Sequence, residues 1–145
     1  MQAKDEFSRW LGVEVAEIGP ARCVCRMVVR NEMVNGFGVA HGGIVFSLAD
    51  SAFAFACNTQ GRIAMSIENA ITYPMPVRPG DRLTAVASEE SASRRLGVYR
   101  VDITNQRQET VPCSGAPSTR LHRSTRDSSL LGPSPLPRPD LPLSR

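Results

Sequence analysis

A chain of 145 residues, 41% of them hydrophobic, is long enough to bury one core and too short for two full-sized domains. Its net charge of +3 does not mark a nucleic-acid binder. The surplus lies from Pro112 onward, where Arg120, Arg123, Arg126, Arg138 and Arg145 outnumber Asp127 and Asp140, and residues 1–111 balance twelve basic against twelve acidic side chains.

The longest apolar stretch, Gly42 to Cys57, is interrupted by Asp50 and falls short of the roughly 20 residues a membrane span needs. No cationic, apolar leader opens the chain, so the expectation is a soluble cytoplasmic protein with no membrane partner.

In chain order, Asp5 to Leu11 has the spacing of a short helix with Phe7, Trp10 and Leu11 on one side. Val13 to Ile18 and Ala21 to Val29 read as two strands joined by a Gly19-Pro20 turn. Asn31 to Ala40 is a glycine-punctuated loop, and Gly42 to Thr59 predicts a helix. Ile63 to Tyr73 alternates, with Ile63, Met65, Ile67, Ile71 and Tyr73 on one face, and predicts a long strand. Arg78-Pro79-Gly80-Asp81 supplies a tight turn, Pro presetting φ and Gly accepting a positive one. Leu83 to Ser91 and Val98 to Thr104 are further strands, the second with Tyr99, Val101 and Ile103 inward.

The long helix carries Ile44, Val45, Phe46, Leu48, Ala49, Ala52, Phe53, Ala54, Phe55 and Ala56, which cover nearly every side of it. A helix apolar all round is a buried helix. One central helix followed by antiparallel strands predicts an α+β fold with a sheet wrapped around that helix.

Cys23, Cys25, Cys57 and Cys113 form no C-x-x-C pair, and His41 and His122 are the two histidines of the chain. That spacing argues against a zinc site, and the thiols read as small packed hydrophobes.

Asp50 is the one charged residue between His41 and Arg62. A buried carboxylate without partners costs several kcal/mol or rises in pKa until it takes a proton. Either it reaches solvent or a donor, or it serves as general base or nucleophile in a desolvated pocket.

His41-Gly42-Gly43 stands where the helix begins. Two glycines admit close approach of a ligand, and the first-turn N–H groups with the helix dipole can hold a developing oxyanion. A flexible helix start is the alternative. An oxyanion-type terminus two turns from an isolated carboxylate suits acyl transfer. Ser66 and Asn69 are polar positions on the Ile63–Tyr73 strand. Arg94-Arg95, in a turn, are candidates to meet nucleotide phosphates or form a solvated corner.

Asn35-x5-His41-Gly42-Gly43, followed by Leu48-Ala49-Asp50-Ser51-Ala52-Phe53-Ala54 and Cys57-Asn58, resembles the hotdog-fold acyl-CoA thioesterases of the phenylacetate-degradation type. The likeness runs from about Phe7 to Val111 and includes the Arg78–Asp81 turn. It implies a homodimer or homotetramer with sites built between subunits, hydrolysing acyl-CoA without metal or organic cofactor. Carried over, Asp50 is the catalytic carboxylate and the Gly42 N–H polarises the thioester carbonyl. His41 and Asn35 of a second subunit position that carbonyl and the water. Gly43, Ser66, Asn69, Arg94 and Arg95 become substrate-contact candidates. A dehydratase or hydratase on the same fold, and a non-catalytic acyl-CoA-binding module, are the competing readings.

The chain departs from that family after Val111. The family adds one more strand of the form V-A-L-F-R-G-T-V-Y/H, inside the sheet. Here Val111 is followed by Pro112-Cys113-Ser114-Gly115-Ala116-Pro117-Ser118-Thr119, poor strand material. Read one base earlier, codons for those eight residues admit Ala, Leu, Phe, Arg, Gly, Thr, Val and Tyr or His. The reading is of one nucleotide lost near the Val111 codon. It makes 1–111 the domain, its last strand missing or altered, and 112–145 a Pro/Ser/Arg-rich tail expected to be disordered. A chain so altered is expected to fold poorly or to need a substitute strand.

Overall fold

The computed structural model describes residues 5–61, 63–73, 75–111 and 119–122. Helix α1 (Glu6–Leu11) starts at Asp5, whose Oδ1 accepts the Ser8 N–H at 2.9 Å, and stops at Gly12 in the left-handed region, φ 81°. The expected grouping of Phe7 and Trp10 with Leu11 does not hold. Ser8 and Leu11, three apart and so on one face, turn inward, while both aromatics stay exposed.

Strands β1 (Glu14–Gly19) and β2 (Arg22–Val28) form the expected hairpin, with Ala21 at φ 54° in its turn. β2 pairs with β4 (Arg82–Ala92), and β4 with β5 (Leu96–Thr104), all antiparallel. Alternation then decides the core: Leu83, Ala85 and Ala87 of β4 and Tyr99, Val101 and Ile103 of β5 are buried. Against them lies the central helix α2 (Gly42–Cys57), which packs on β2, β4 and β5. Phe53 meets Tyr99 edge to face at 5.4 Å between ring centroids.

α2 ends two residues before the expected Thr59. The Thr59 hydroxyl bonds the Ala56 carbonyl and accepts the Ala21 N–H, each at 2.9 Å, which pulls the chain off the helix axis. Asn58 then anchors the return: its Nδ2 donates to the Ala54 carbonyl at 2.8 Å and its Oδ1 accepts the Ala64 N–H at 2.9 Å.

The long strand predicted over Ile63–Tyr73 is cut to β3 (Met65–Glu68). Its neighbour sets that length. The sheet order is β1-β2-β4-β5-β7-β3, and β7 (Thr119–His122) offers β3 just four residues. The apolar face of the predicted strand is not in the core: Ile63, Met65, Ile67 and Tyr73 are exposed.

β7 itself corrects the expectation of a disordered segment over 112–145, since Thr119–His122 is a strand between β5 and β3. Cys113 and the rest of that segment lie outside the described residues. A two-residue strand β6 (Thr110–Val111) also pairs with β5, Ile103 opposite Val111. Continuing that register would bring residue 115 opposite Tyr99. Thr119 stands there instead, four residues later. Between the two paired stretches, Arg100, Val101 and Asp102 of β5 have no strand partner on that edge among the described residues.

Candidate active site

The loop before α2 is held by backbone bonds that follow from its glycines and asparagine. The Asn35 N–H donates to the Val39 carbonyl at 2.8 Å, and Gly38, at φ 73°, closes the tip by donating to the Asn35 carbonyl at 3.0 Å. The Asn35 Oδ1 accepts the Phe37 N–H at 2.9 Å, the local turn this side chain favours. Its Nδ2 has no partner among the described residues, so the amide keeps a donor to offer.

The loop is pinned to the helix start. The His41 N–H donates to the Met33 carbonyl and the Ala40 N–H to the Val77 carbonyl, both at 2.8 Å. His41 caps α2: its Nδ1 accepts the Gly43 N–H at 3.0 Å. An Nδ1 that accepts is unprotonated, which leaves the ring proton on Nε2, facing away from the helix. Gly43's amide is therefore spent on the cap. The first-turn amide left without a partner among the described residues is Gly42's, at the positive end of a sixteen-residue helix.

Gly42 and Gly43 are glycines for steric reasons. A Cβ on Gly42 would lie 3.2 Å from Cζ of Tyr73, and one on Gly43 would lie 3.0 Å from Nδ1 of His41. Tyr73 also donates its hydroxyl to the Gly42 carbonyl at 2.9 Å. Sequence reasoning placed Tyr73 merely on a strand face. No local spacing could have joined it to a residue 31 positions away.

Asp50 is two turns along α2 from Gly43. At 100° per residue, Gly43, Ser47, Asp50 and Ala54 fall within a strip about 60° wide. That strip is the less buried side of the helix: Gly43 is exposed and the other three half-buried, while Val45, Leu48, Ala49, Ala52 and Phe53 face the core. Ser47 returns its hydroxyl to the Gly43 carbonyl at 2.7 Å. Burial pushes the Asp50 carboxyl above its ordinary value, and no described side chain bonds it. Burial, and then the nearby Asp50 charge, push the Cys57 thiol up to about 12, so it is no nucleophile near neutral pH.

Eight residues of rise separate Gly42 from Asp50, about 12 Å along one helix. One reacting carbon needs both groups within roughly 3 Å or one water of it. Within a single chain, the amide and the carboxylate are too far apart for that.

The other sequence-predicted residues divide by position. Half-buried Ser66 sits on β3, and exposed Asn69 follows it, on the path that returns alongside α2 from Asn58 to Tyr73. Exposed Arg94 and Arg95 lie in the β4–β5 turn. Next to that turn, Ser93 and Leu96 border a small hollow with Cys57 and Gln60, at the far end of α2 from Gly42. One chain therefore does not bring the arginines to the helix front.

Beside the helix front is an open cleft of about 410 Å³, lined by Phe7, Trp10, Met33, His41, Gly43 and Ile44 among others. Phe7 and Trp10 stack at 6.0 Å, and the Arg30 guanidinium lies 5.6 Å over the indole. Among the described residues no cluster of His, Cys, Asp and Glu could hold a metal ion, and no helix is long and apolar enough to cross a membrane.

Residues 37–112 match the model of the thioesterase superfamily. The chain is 38% identical over 121 residues to acyl-coenzyme A thioesterase PaaI of Escherichia coli, covering 83% of this chain and 86% of that protein. It is 31% identical over 103 residues to human acyl-coenzyme A thioesterase 13, covering 69% and 74%. The solved structure of the E. coli PaaI protein from the phenylacetic acid degradation operon superposes with a TM-score of 0.77 at 36% identity, over 86% of this chain and 88% of that one. An antiparallel sheet around one long helix, a match across more than half the chain and relatives at this identity lead to one assignment: the chain belongs to the thioesterase superfamily and has its hotdog fold.

Proposed function

We propose that the protein hydrolyses acyl-coenzyme A thioesters to the free acid and coenzyme A, at a site shared between two copies of the chain. The observation that carries this is the pairing of a Gly42 amide at a capped helix front with the Asp50 carboxylate, whose pKa burial has raised, both without a hydrogen-bond partner among the described residues. The Gly42 N–H polarises the thioester carbonyl and holds the oxyanion. The Nε2–H of His41 and the Nδ2 of Asn35 position the carbonyl and the attacking water. Asp50 of the other copy deprotonates that water, with Ser66 as a further contact to it. The leaving thiolate takes up a proton to give coenzyme A.

The separation of about 12 Å within one helix and the surface both support a site made by two copies. Ile63, Met65, Ile67 and Tyr73 form an exposed apolar stripe on and beside β3, which is one of the two edge strands of the sheet among the described residues. An apolar edge strand pairs readily with another strand. Its occupant in this reading is a second copy, giving a homodimer, and pairs of dimers give a homotetramer. Across that junction, Arg94 and Arg95 of one copy become available to the phosphates held by the other. The aromatic-lined cleft of about 410 Å³ beside the helix front has room for an aryl or medium-chain acyl group.

Free-thiol release over a panel of aryl-, medium- and short-chain acyl-coenzyme A substrates tests this, on the parent and its Asp50→Ala variant. Turnover by the parent and its loss in the variant are expected. A variant as active as the parent removes Asp50 from the chemistry.

A further inference from the structure

One peptide group at the helix front is gripped at both ends. The Gly42–Gly43 peptide receives the Tyr73 hydroxyl on its carbonyl at 2.9 Å and gives its N–H to the His41 Nδ1 at 3.0 Å. The two peptides before it are held as well: the His41 carbonyl, in the His41–Gly42 peptide, accepts the Ile44 N–H at 2.9 Å, and the His41 N–H, in the Ala40–His41 peptide, donates to the Met33 carbonyl at 2.8 Å.

The donors point one way along this chain. Tyr73 O–H donates to the carbonyl, the N–H of the same peptide donates to Nδ1, and the imidazole passes the polarity on to its Nε2–H. Hydrogen bonds in series polarise one another. Two consecutive glycines restrict their own φ and ψ little, so the orientation of the peptide between them depends on such partners. The Tyr73 ring also lies where a Gly42 side chain would be, 3.2 Å from a Cβ placed there.

We propose that Tyr73 is a positioning residue of the active site: by pinning the peptide between Gly42 and Gly43 it holds the His41 ring through that peptide's N–H and, through the shared Gly42 Cα, steadies the neighbouring Gly42 amide that faces the thioester carbonyl. This rests on the thioesterase reading above and extends it to a residue 31 positions from the helix start. Tyr73 does not touch the reacting atoms. Its effect therefore belongs to the transition state, where the oxyanion needs a donor already aimed, rather than to binding of coenzyme A.

Tyr73→Phe keeps the ring over Gly42 and removes the hydroxyl. In the full 145-residue chain, kcat on the best substrate of the panel falls about tenfold, the effect expected when one aimed hydrogen bond is lost. KM stays within about twofold, and the melting temperature changes little. Amide hydrogen exchange supplies a readout that needs no turnover: exchange at Gly43 quickens about tenfold in Tyr73→Phe, because the peptide is released.

An unchanged Gly43 exchange rate overturns the proposal whether or not the parent turns over. So does an unchanged kcat in a parent that does. A parent without thiol release sinks the hydrolase reading, and with it the catalytic part of this proposal, while the exchange rate still decides whether Tyr73 holds the peptide.

Discussion

The His41 imidazole turns back on its own helix, its Nδ1 accepting the Gly43 N–H at 3.0 Å. In the proposed mechanism one ring serves stability through one nitrogen and chemistry through the other, and substitutions can separate the two. Asparagine is as good a helix cap but does not present an outward ring N–H in the same place. His41→Asn is expected to keep the melting temperature within about 2 °C and lower kcat by roughly 100-fold, the cost of a missing oxyanion-site donor. His41→Ala loses both functions and about 1 kcal/mol of stability. Thermal melts beside thiol-release rates check this, and full activity in His41→Asn counts against the role of Nε2.

Asp50 gives a prediction in pH. Its carboxyl is raised above 3.8 by burial, and in the proposed mechanism the ionised form is the working base. Activity therefore falls as pH drops through that raised value, with an acid limb above pH 3.8. Stability runs the other way. Between 3.8 and the raised value the folded chain binds more protons than the unfolded one, so this group's contribution declines as pH rises across that window and stays low above it. Asp50→Asn is expected to lose turnover by about 10³-fold yet melt roughly 2–4 °C higher near pH 7, the gain vanishing below pH 3.8. A variant that melts lower at neutral pH contradicts the desolvation argument.

The β3 stripe yields a test of assembly. Ile67 is 56% exposed on the edge strand. Ile67→Asp places a charge where a second copy is proposed to pair. Light scattering is expected to show half the parent's mass or less, with a cooperative melt retained and turnover down at least about tenfold. Full activity from a proven monomer would show that one chain suffices.

The replacement strand can be removed or restored. A stop after Val111 deletes β7 and leaves β5 and β3 without their shared neighbour. Each unmade backbone bond costs about 1–3 kcal/mol against a total near 5–15 kcal/mol, so the melt is expected to drop by at least about 10 °C or lose cooperativity. The gene with one base restored near the Val111 codon is expected to encode a chain that melts well above the parent. Equal melts for all three would mean that β7 contributes nothing. Resequencing across that codon shows separately whether a base was lost.

What the sequence disclosed and what it hid follow from the range of each interaction. The central helix was legible because apolar side chains surround it, and Asp50 because a single charge stands out there. Strands β4 and β5 were legible from two-residue alternation. The His41 cap lies two residues from its partner, within reach of local reasoning. The Tyr73–Gly42 bond was not, since nothing in either neighbourhood announces the other. The length of β3 was misjudged because a strand extends only as far as its neighbour pairs with it, and that neighbour is four residues from a segment that reads as non-strand. Phe7 and Trp10 were misplaced because the short helix turns the face shared by Ser8 and Leu11 to the core, where the Ser8 and Ser51 hydroxyls lie 3.0 Å apart, and a count of apolar residues does not say which face that is.

The register of β7 has a consequence of its own. A strand's pleat repeats every two residues, so a slipped segment stays in phase only when the slip is even. Four places is even, and the substitute meets β5 with the in–out phase a continuous strand would have had. β7 is therefore in phase with β6, and at Arg100–Asp102 the backbone groups facing that edge have no ladder partner among the described residues.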